Sequence, residues 1–195
     1  MPKKLVELSD LEFVGGLRVP RFSNHEKAVR TLGFPWGGMT IRTREDGVIE
    51  AFVENGQQGR QVLQITRSGS LGTGTNPLAW PTMSQGYVWH FTELFPGATH
   101  TEACTPYGLC VDDENNRLWV SCKSNYNPSN TNMSYWVNSV DLETKLCSDA
   151  RAQINDRMQR YGGGLTIIDQ EWADENVQGR RLGLFAGGLA GGQGG

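Results

Sequence analysis

Three segments of this chain open alike, and that recurrence constrains the fold more than any other feature. They are Pro35-Trp36-Gly37-Gly38-Met39-Thr40-Ile41, Pro106-Tyr107-Gly108-Leu109-Cys110-Val111 and Tyr161-Gly162-Gly163-Gly164-Leu165-Thr166-Ile167-Ile168. Each places an aromatic residue before glycine and then a short β-favouring run. Their spacing is unequal, so the units differ in loop length. Recurring units of this kind bury their faces against one another.

The first two units continue in the same way. A polar turn, Arg44-Glu45-Asp46-Gly47, leads to Val48-Ile49-Glu50-Ala51-Phe52-Val53. In the second unit Asp112-Asp113-Glu114-Asn115-Asn116 leads to Arg117-Leu118-Trp119-Val120-Ser121-Cys122. Asp-Gly and Asn-Asn are hairpin chemistry because these residues tolerate positive φ. The spacing predicts a hairpin joining 109–113 to 117–122, with Trp119 or its neighbours in a core. A third strand is expected at 60–66 in the first unit and at 135–141 in the second, with apolar and polar positions roughly alternating. The third unit departs: 169–176 reads as one or two helical turns stopped by Gly179, and 181–186 resumes as a strand. The expected fold is all-β and mainly antiparallel, with one short helical insertion. It forms a single domain over 1–186 and a glycine-rich tail over 187–195.

Antiparallel sheets of three or four strands with glycine openings resemble the blades of a β-propeller. The chain as a whole resembles the front half of larger uncharacterised propeller-like proteins of environmental bacteria and phages. The residues carrying this are Gly15-Gly16-Leu17-Arg18-Val19-Pro20, Trp36-Gly37-Gly38, Tyr107-Gly108-Leu109 with Arg117-Leu118-Trp119-Val120-Ser121, and Arg180-Arg181-Leu182-Gly183. The resemblance implies β-propeller-like blades and carries no activity with it. Closed propellers have roughly 4–8 blades, so three units imply an incomplete ring, copies that complete each other, or an open stack.

Composition narrows the function classes. Hydrophobic residues make up 37% of the 195, and the 25 glycines account for part of that low share. With 18 basic and 21 acidic residues and a net charge of −3, the chain lacks the basic excess of a phosphate-backbone binder, so no nucleic-acid partner is expected. The first ten residues contain no apolar run of signal-peptide type, and no stretch is apolar enough to span a membrane. The expectation is therefore no membrane partner and cytoplasmic synthesis, which equally suits a virion component.

Recognisable chemistry is sparse. Cys104, Cys110, Cys122 and Cys147 form no Cys-x-x-Cys pair, so thiols rather than a zinc site are expected. His100, Glu102 and Cys104 alternate and would share one face of a strand, but Pro96-Gly97 and Pro106 favour a polar loop there. His90 reads as a strand histidine, and His25 lies in a solvated polar stretch. The 112–116 run offers calcium-type oxygen ligands, yet hairpin chemistry explains it. No Gly-Lys-Ser/Thr follows the glycine runs and Gly-x-Ser-x-Gly is absent, which excludes a phosphate loop and a serine-hydrolase elbow. No metal and no cofactor are expected.

The six tryptophans and the polar stretch 124–132 are the remaining signal. Flat aromatic faces stack on sugar rings, and asparagines hydrogen-bond their hydroxyls. Asn125, Tyr126, Asn127, Asn130 and Trp136 are accordingly the candidate binding residues, with a carbohydrate as the candidate ligand. The expectation is a noncatalytic binding or structural module, such as a virion or surface-associated component. It is expected to act as a homo-oligomer or with a partner chain, because unpaired sheet edges recruit strands. The alternative is a propeller-type hydrolase, lyase or lactonase acting through His100, Glu102, Asp112 or Asp169.

Overall fold

The computed structural model describes residues 11–20, 38–55, 61–67, 69–96, 104–124, 135–148, 152–154 and 164–184. Among the described residues ten strands form three sheets. Strands β1 (Met39–Thr43), β2 (Ile49–Asn55), β3 (Gln61–Arg67) and β4 (Ser84–His90) make an antiparallel sheet in chain order. Strands β5 (Cys104–Asp112), β6 (Arg117–Ser124), β7 (Tyr135–Asp141) and β8 (Ala152–Ile154) make a second of the same order. Strands β9 (Leu165–Ile167) and β10 (Leu182–Leu184) form a two-stranded third.

The hairpins form where the turn residues dictate. Gly47 takes φ 77° and its N–H closes on the Arg44 carbonyl at 2.9 Å. Asn116 takes φ 50°, a left-handed value that asparagine tolerates. Helix α2 (Gln170–Val177) starts on Asp169, whose carboxylate accepts the Trp172 N–H at 3.1 Å. It ends where Gln178 and Gly179 both turn left-handed and the Gly179 N–H closes on the Ala173 carbonyl at 2.9 Å.

The opening hairpins of the three units correspond in register. In the first hairpin Met39 pairs with Val53 and Ile41 with Ala51. In the second Leu109 pairs with Val120 and Val111 with Leu118. In the third Leu165 pairs with Leu184 and Ile167 with Leu182. Residues paired across an antiparallel ladder point to the same side, so each set defines one face, here called the leading face. The residues between them, Thr40 and Phe52, Cys110 and Trp119, Thr166 and Gly183, define the trailing face.

Stacking follows this equivalence. The leading face of the second sheet, with Leu109, Leu118, Val120 and Val140, shares one core with the trailing residues Phe52, Val62 and Trp89 of the first. Strand β5 packs on β1, β2 and β3, and β9 packs in turn on β5 and β6. A second core covers the leading face of the first sheet, where Ala51, Val53, Leu63, Ile65, Val88 and Met83 meet Leu17. The strap carrying Leu17 is pinned by bridges from Gly16 to Gly72 and from Arg18 to Thr82. A Cβ on Gly16 would lie 2.1 Å from the Trp80 ring, so only glycine permits this approach.

Four details refine the sequence expectations, among them that the buried residues of the second hairpin are the neighbours of Trp119. Trp119 is only half-buried, because it sits on the trailing face of the second sheet, while its neighbours Leu118 and Val120 are the fully buried pair. Of the polar loop expected over 100–104, residues 100–103 lie outside the described residues, and at Cys104 strand β5 begins and runs through Pro106 at the sheet edge. An edge strand tolerates the missing N–H, the register slips between Pro106 and Leu109, and the Gly108 N–H goes to Ser121 Oγ at 3.0 Å. A short helix, α1 (Phe91–Leu94), follows β4 directly. Strand β8 brings the second sheet to four strands, within the three or four expected per sheet. The third strands lie at Gln61–Arg67 and Tyr135–Asp141, near or at their expected bounds. The resumed strand of the third unit is Leu182–Leu184; residues 185–186 and the tail 187–195 lie outside the described residues.

Candidate functional site

The hairpin turns place a charged pair at the end of each of the first two units. Arg42 sits opposite Glu50, and Asp112 opposite Arg117, each one residue beyond the Ile41–Ala51 or Val111–Leu118 pair. Because the step is one residue, both pairs fall on the trailing side. In the first sheet this side is covered by the second, so Arg42 and Glu50 become buried at the seam, with side chains 10% and 3% exposed.

Their hydrogen bonding is extensive. Glu50 Oε2 accepts Arg42 Nε at 2.6 Å, and Oε1 accepts Gln64 Nε2 at 2.9 Å. Arg44 approaches Oε1 at 3.6 Å while also holding Asp46 at 2.7 Å. Arg42 then reaches across the seam and donates from Nη1 to Asn116 Oδ1 at 2.8 Å, with Asp113 at 3.7 Å. A carboxylate with both oxygens engaged in this way is an anchor.

Lys145 borders the same seam from the turn after β7. It takes φ 66°, its carbonyl accepts Trp89 Nε1 at 3.1 Å, and its Nζ donates to the Leu142 carbonyl. Nζ stands 6.0 Å from the Trp89 ring centre, and Tyr87 packs on that ring at 4.8 Å. Burial pushes the Lys145 ammonium below its ordinary pKa, with Glu50 acting in the opposite direction.

The acidic turn 112–116 is a junction between all three units. Asp112 accepts the Asn115 backbone at 3.3 Å and its carboxamide at 2.9 Å. Asn116 receives Arg42 from the first sheet. Glu114 receives both terminal nitrogens of Arg181 from the third, and Arg181 Nε also donates to the Ile168 carbonyl at 3.1 Å. Elsewhere on the seam Asn138 donates to the Leu94 carbonyl at 2.6 Å, fixing α1 against β7.

The remaining sequence candidates are placed as follows. His90 ends β4; its ring nitrogen Nε2 lies 3.0 Å from Gln61 Nε2, and its backbone N–H donates to Glu93 at 2.8 Å. Asp169 is the cap of α2. Cys110 and Cys147 are free thiols that burial pushes upward, Cys147 to about 11, so their thiolate fraction is small. Cys122 is buried in the shared core. Trp136 lies in β7 opposite Gln153, with its side chain outside the described residues. Asn125, Tyr126, Asn127, Asn130, His25, His100 and Glu102 also lie outside the described residues. Among the described residues no three His, Cys, Asp or Glu side chains gather as metal ligands, and no helix is long and apolar enough to cross a membrane.

Arg42, Glu50, Gln64 and Lys145 lie in no recognisable motif of the sequence. The legible signal was the turn itself: counting outward from Arg44–Gly47 sets Arg42 opposite Glu50. No family model, curated protein or solved structure matches the chain.

Proposed function

We propose that this chain is a noncatalytic binding or structural module built from β-propeller-like blades that form an incomplete ring. The observation that carries this reading is the use of its polar side chains at the seams. Arg42, Glu50, Gln64, Asn116, Asn138, Glu114 and Arg181 join one unit to the next or brace the residues that do. Asp112 and Asp169, two of the acids an enzyme would need, act as acceptors for a turn and a helix end.

Support for the blade-like reading comes from the order of the two four-stranded sheets and from the packing of β5 on the first strands of the first sheet and of β9 on those of the second. The virion or surface setting rests on the family resemblance. The carbohydrate ligand rests on the composition of the connection between β6 and β7, with its asparagines and Tyr126, since loops on a rigid scaffold commonly carry recognition. The test is to incubate the protein with a panel of polysaccharides and follow both retention and chain length. Retention without shortening is the expected result. New reducing ends or unsaturated products would overturn the noncatalytic reading.

A further inference from the structure

The leading face of the first sheet has an uncovered part, and the register says what fits it. Met39 and Ile41 are 61% and 55% exposed. Their equivalents in the second unit are Leu109, only 5% exposed, and Val111, which packs against the shared core. Leu165, the equivalent of Met39 in the third unit, is also buried. In the second unit the covering surface is the trailing face of the sheet before it. The same apolar positions in β1 therefore present a surface shaped for the trailing face of another such unit.

At the opposite end of the stack lies the trailing face of the third unit, marked by Thr166, Ile168 and Gly183. These three are half-exposed, and a Cβ on Gly183 would lie 3.1 Å from Thr166 and 3.3 Å from Ile168, which leaves this face low and flat. Among the described residues the chain thus carries both halves of one contact, a leading face that lacks a cover and a trailing face that lacks a follower.

We infer that a second copy of this chain covers Met39 and Ile41 with its Thr166–Gly183 face, and receives the reciprocal contact in return. A head-to-tail contact closes when the rotation per unit allows it and otherwise grows into open polymers. Two copies of three units give six, inside the roughly 4–8 units of closed propellers. The contact continues the seam already present twice within the chain, which is why a second copy, with its identical faces, is the occupant. This inference rests on the blade-like reading above and deepens it by naming the interface.

The test uses the full chain and two variants, Ile41→Asp on the leading face and Thr166→Arg on the trailing face. Light scattering over a tenfold dilution series at micromolar concentration should give twice the 21.5 kDa chain mass for the unaltered protein. Each variant alone should give the single-chain mass with an unchanged circular dichroism spectrum. Mixing the two should restore two-chain particles, because the mixture rebuilds one intact contact. A single-chain mass for the unaltered protein overturns the interface, as does growth beyond two copies or a mixture that stays monomeric. Such a result, obtained with an intact β spectrum, would leave the stacked-sheet reading standing. A spectrum dominated by helix would instead remove that reading itself.

Discussion

Arg42 Nη1 donates to the Asn116 side-chain carbonyl at 2.8 Å across 74 residues of chain, tying the first sheet to the turn of the second. The same guanidinium holds the buried Glu50 at 2.6 Å. Removing one partner of a buried pair leaves the other charge uncompensated, at a cost of about 3–5 kcal/mol. Arg42→Ala should therefore lose that much in urea unfolding. Replacing both residues together, Arg42→Met with Glu50→Gln, should lose clearly less. Equal losses would mean that Glu50 is not held by Arg42.

The Arg181–Glu114 pair joins the second and third units with similar geometry but in water, since Glu114 is 68% exposed. Surface pairs contribute only about 0–1 kcal/mol and are screened by salt. Arg181→Ala should shift the unfolding midpoint slightly at low salt and less still at high salt. A loss matching that of Arg42→Ala would show that the third seam is drier than its exposure indicates.

Phe52 and Trp119 occupy equivalent trailing positions with different cover. Phe52 is fully buried under the second sheet, whereas Trp119 is half-exposed and donates weakly to Asp112 at 3.5 Å. Deleting a buried aromatic costs about 3–5 kcal/mol. Phe52→Ala should reach that range, and Trp119→Ala should fall below it. The reverse order in equilibrium unfolding would invert the assignment of faces.

Burial pushes the Cys147 thiol to about 11, the carboxylate of Glu93 adding to the effect. A folded-state pKa above the ordinary 9.0 means that the folded protein holds its proton where the unfolded chain releases it. The stability linked to this group is complete below pH 9 and is lost as pH rises toward and through 11. Cys147→Ala should flatten the alkaline fall of the unfolding midpoint. Reaction of Cys147 with a thiol reagent in the folded protein should accelerate near pH 11 rather than near 9.

The strands and turns were legible because their causes are local. Asp46-Gly47 and Asn115-Asn116 fix two hairpins, β7 spans its full expected bounds, and the helix before Gly179 lies where its polar run predicts. What was not legible depends on which face meets which sheet. Trp119 and Leu118 are both large and apolar, and only the stacking decides that Leu118 points into the core. Pro106 signals a break by itself, and only its place at a sheet edge makes a strand acceptable. The Arg42–Glu50–Asn116 seam joins residues whose types recur throughout the chain, so no spacing marked them. The binding candidates Asn125, Tyr126, Asn127, Asn130 and Trp136 rest on composition alone.

The central claim is that equivalent units stack trailing face to leading face. It is tested most directly at Thr40 and Val111, where the Val111 N–H lies 3.4 Å from Thr40 Oγ1 across 71 residues of chain. The measurement is a nuclear Overhauser spectrum of the labelled protein, read for cross-peaks from the Val111 amide. The account predicts a peak to the Thr40 side chain alongside the cross-strand peaks within each sheet. Cross-strand peaks in both sheets with none between Thr40 and Val111 would contradict it.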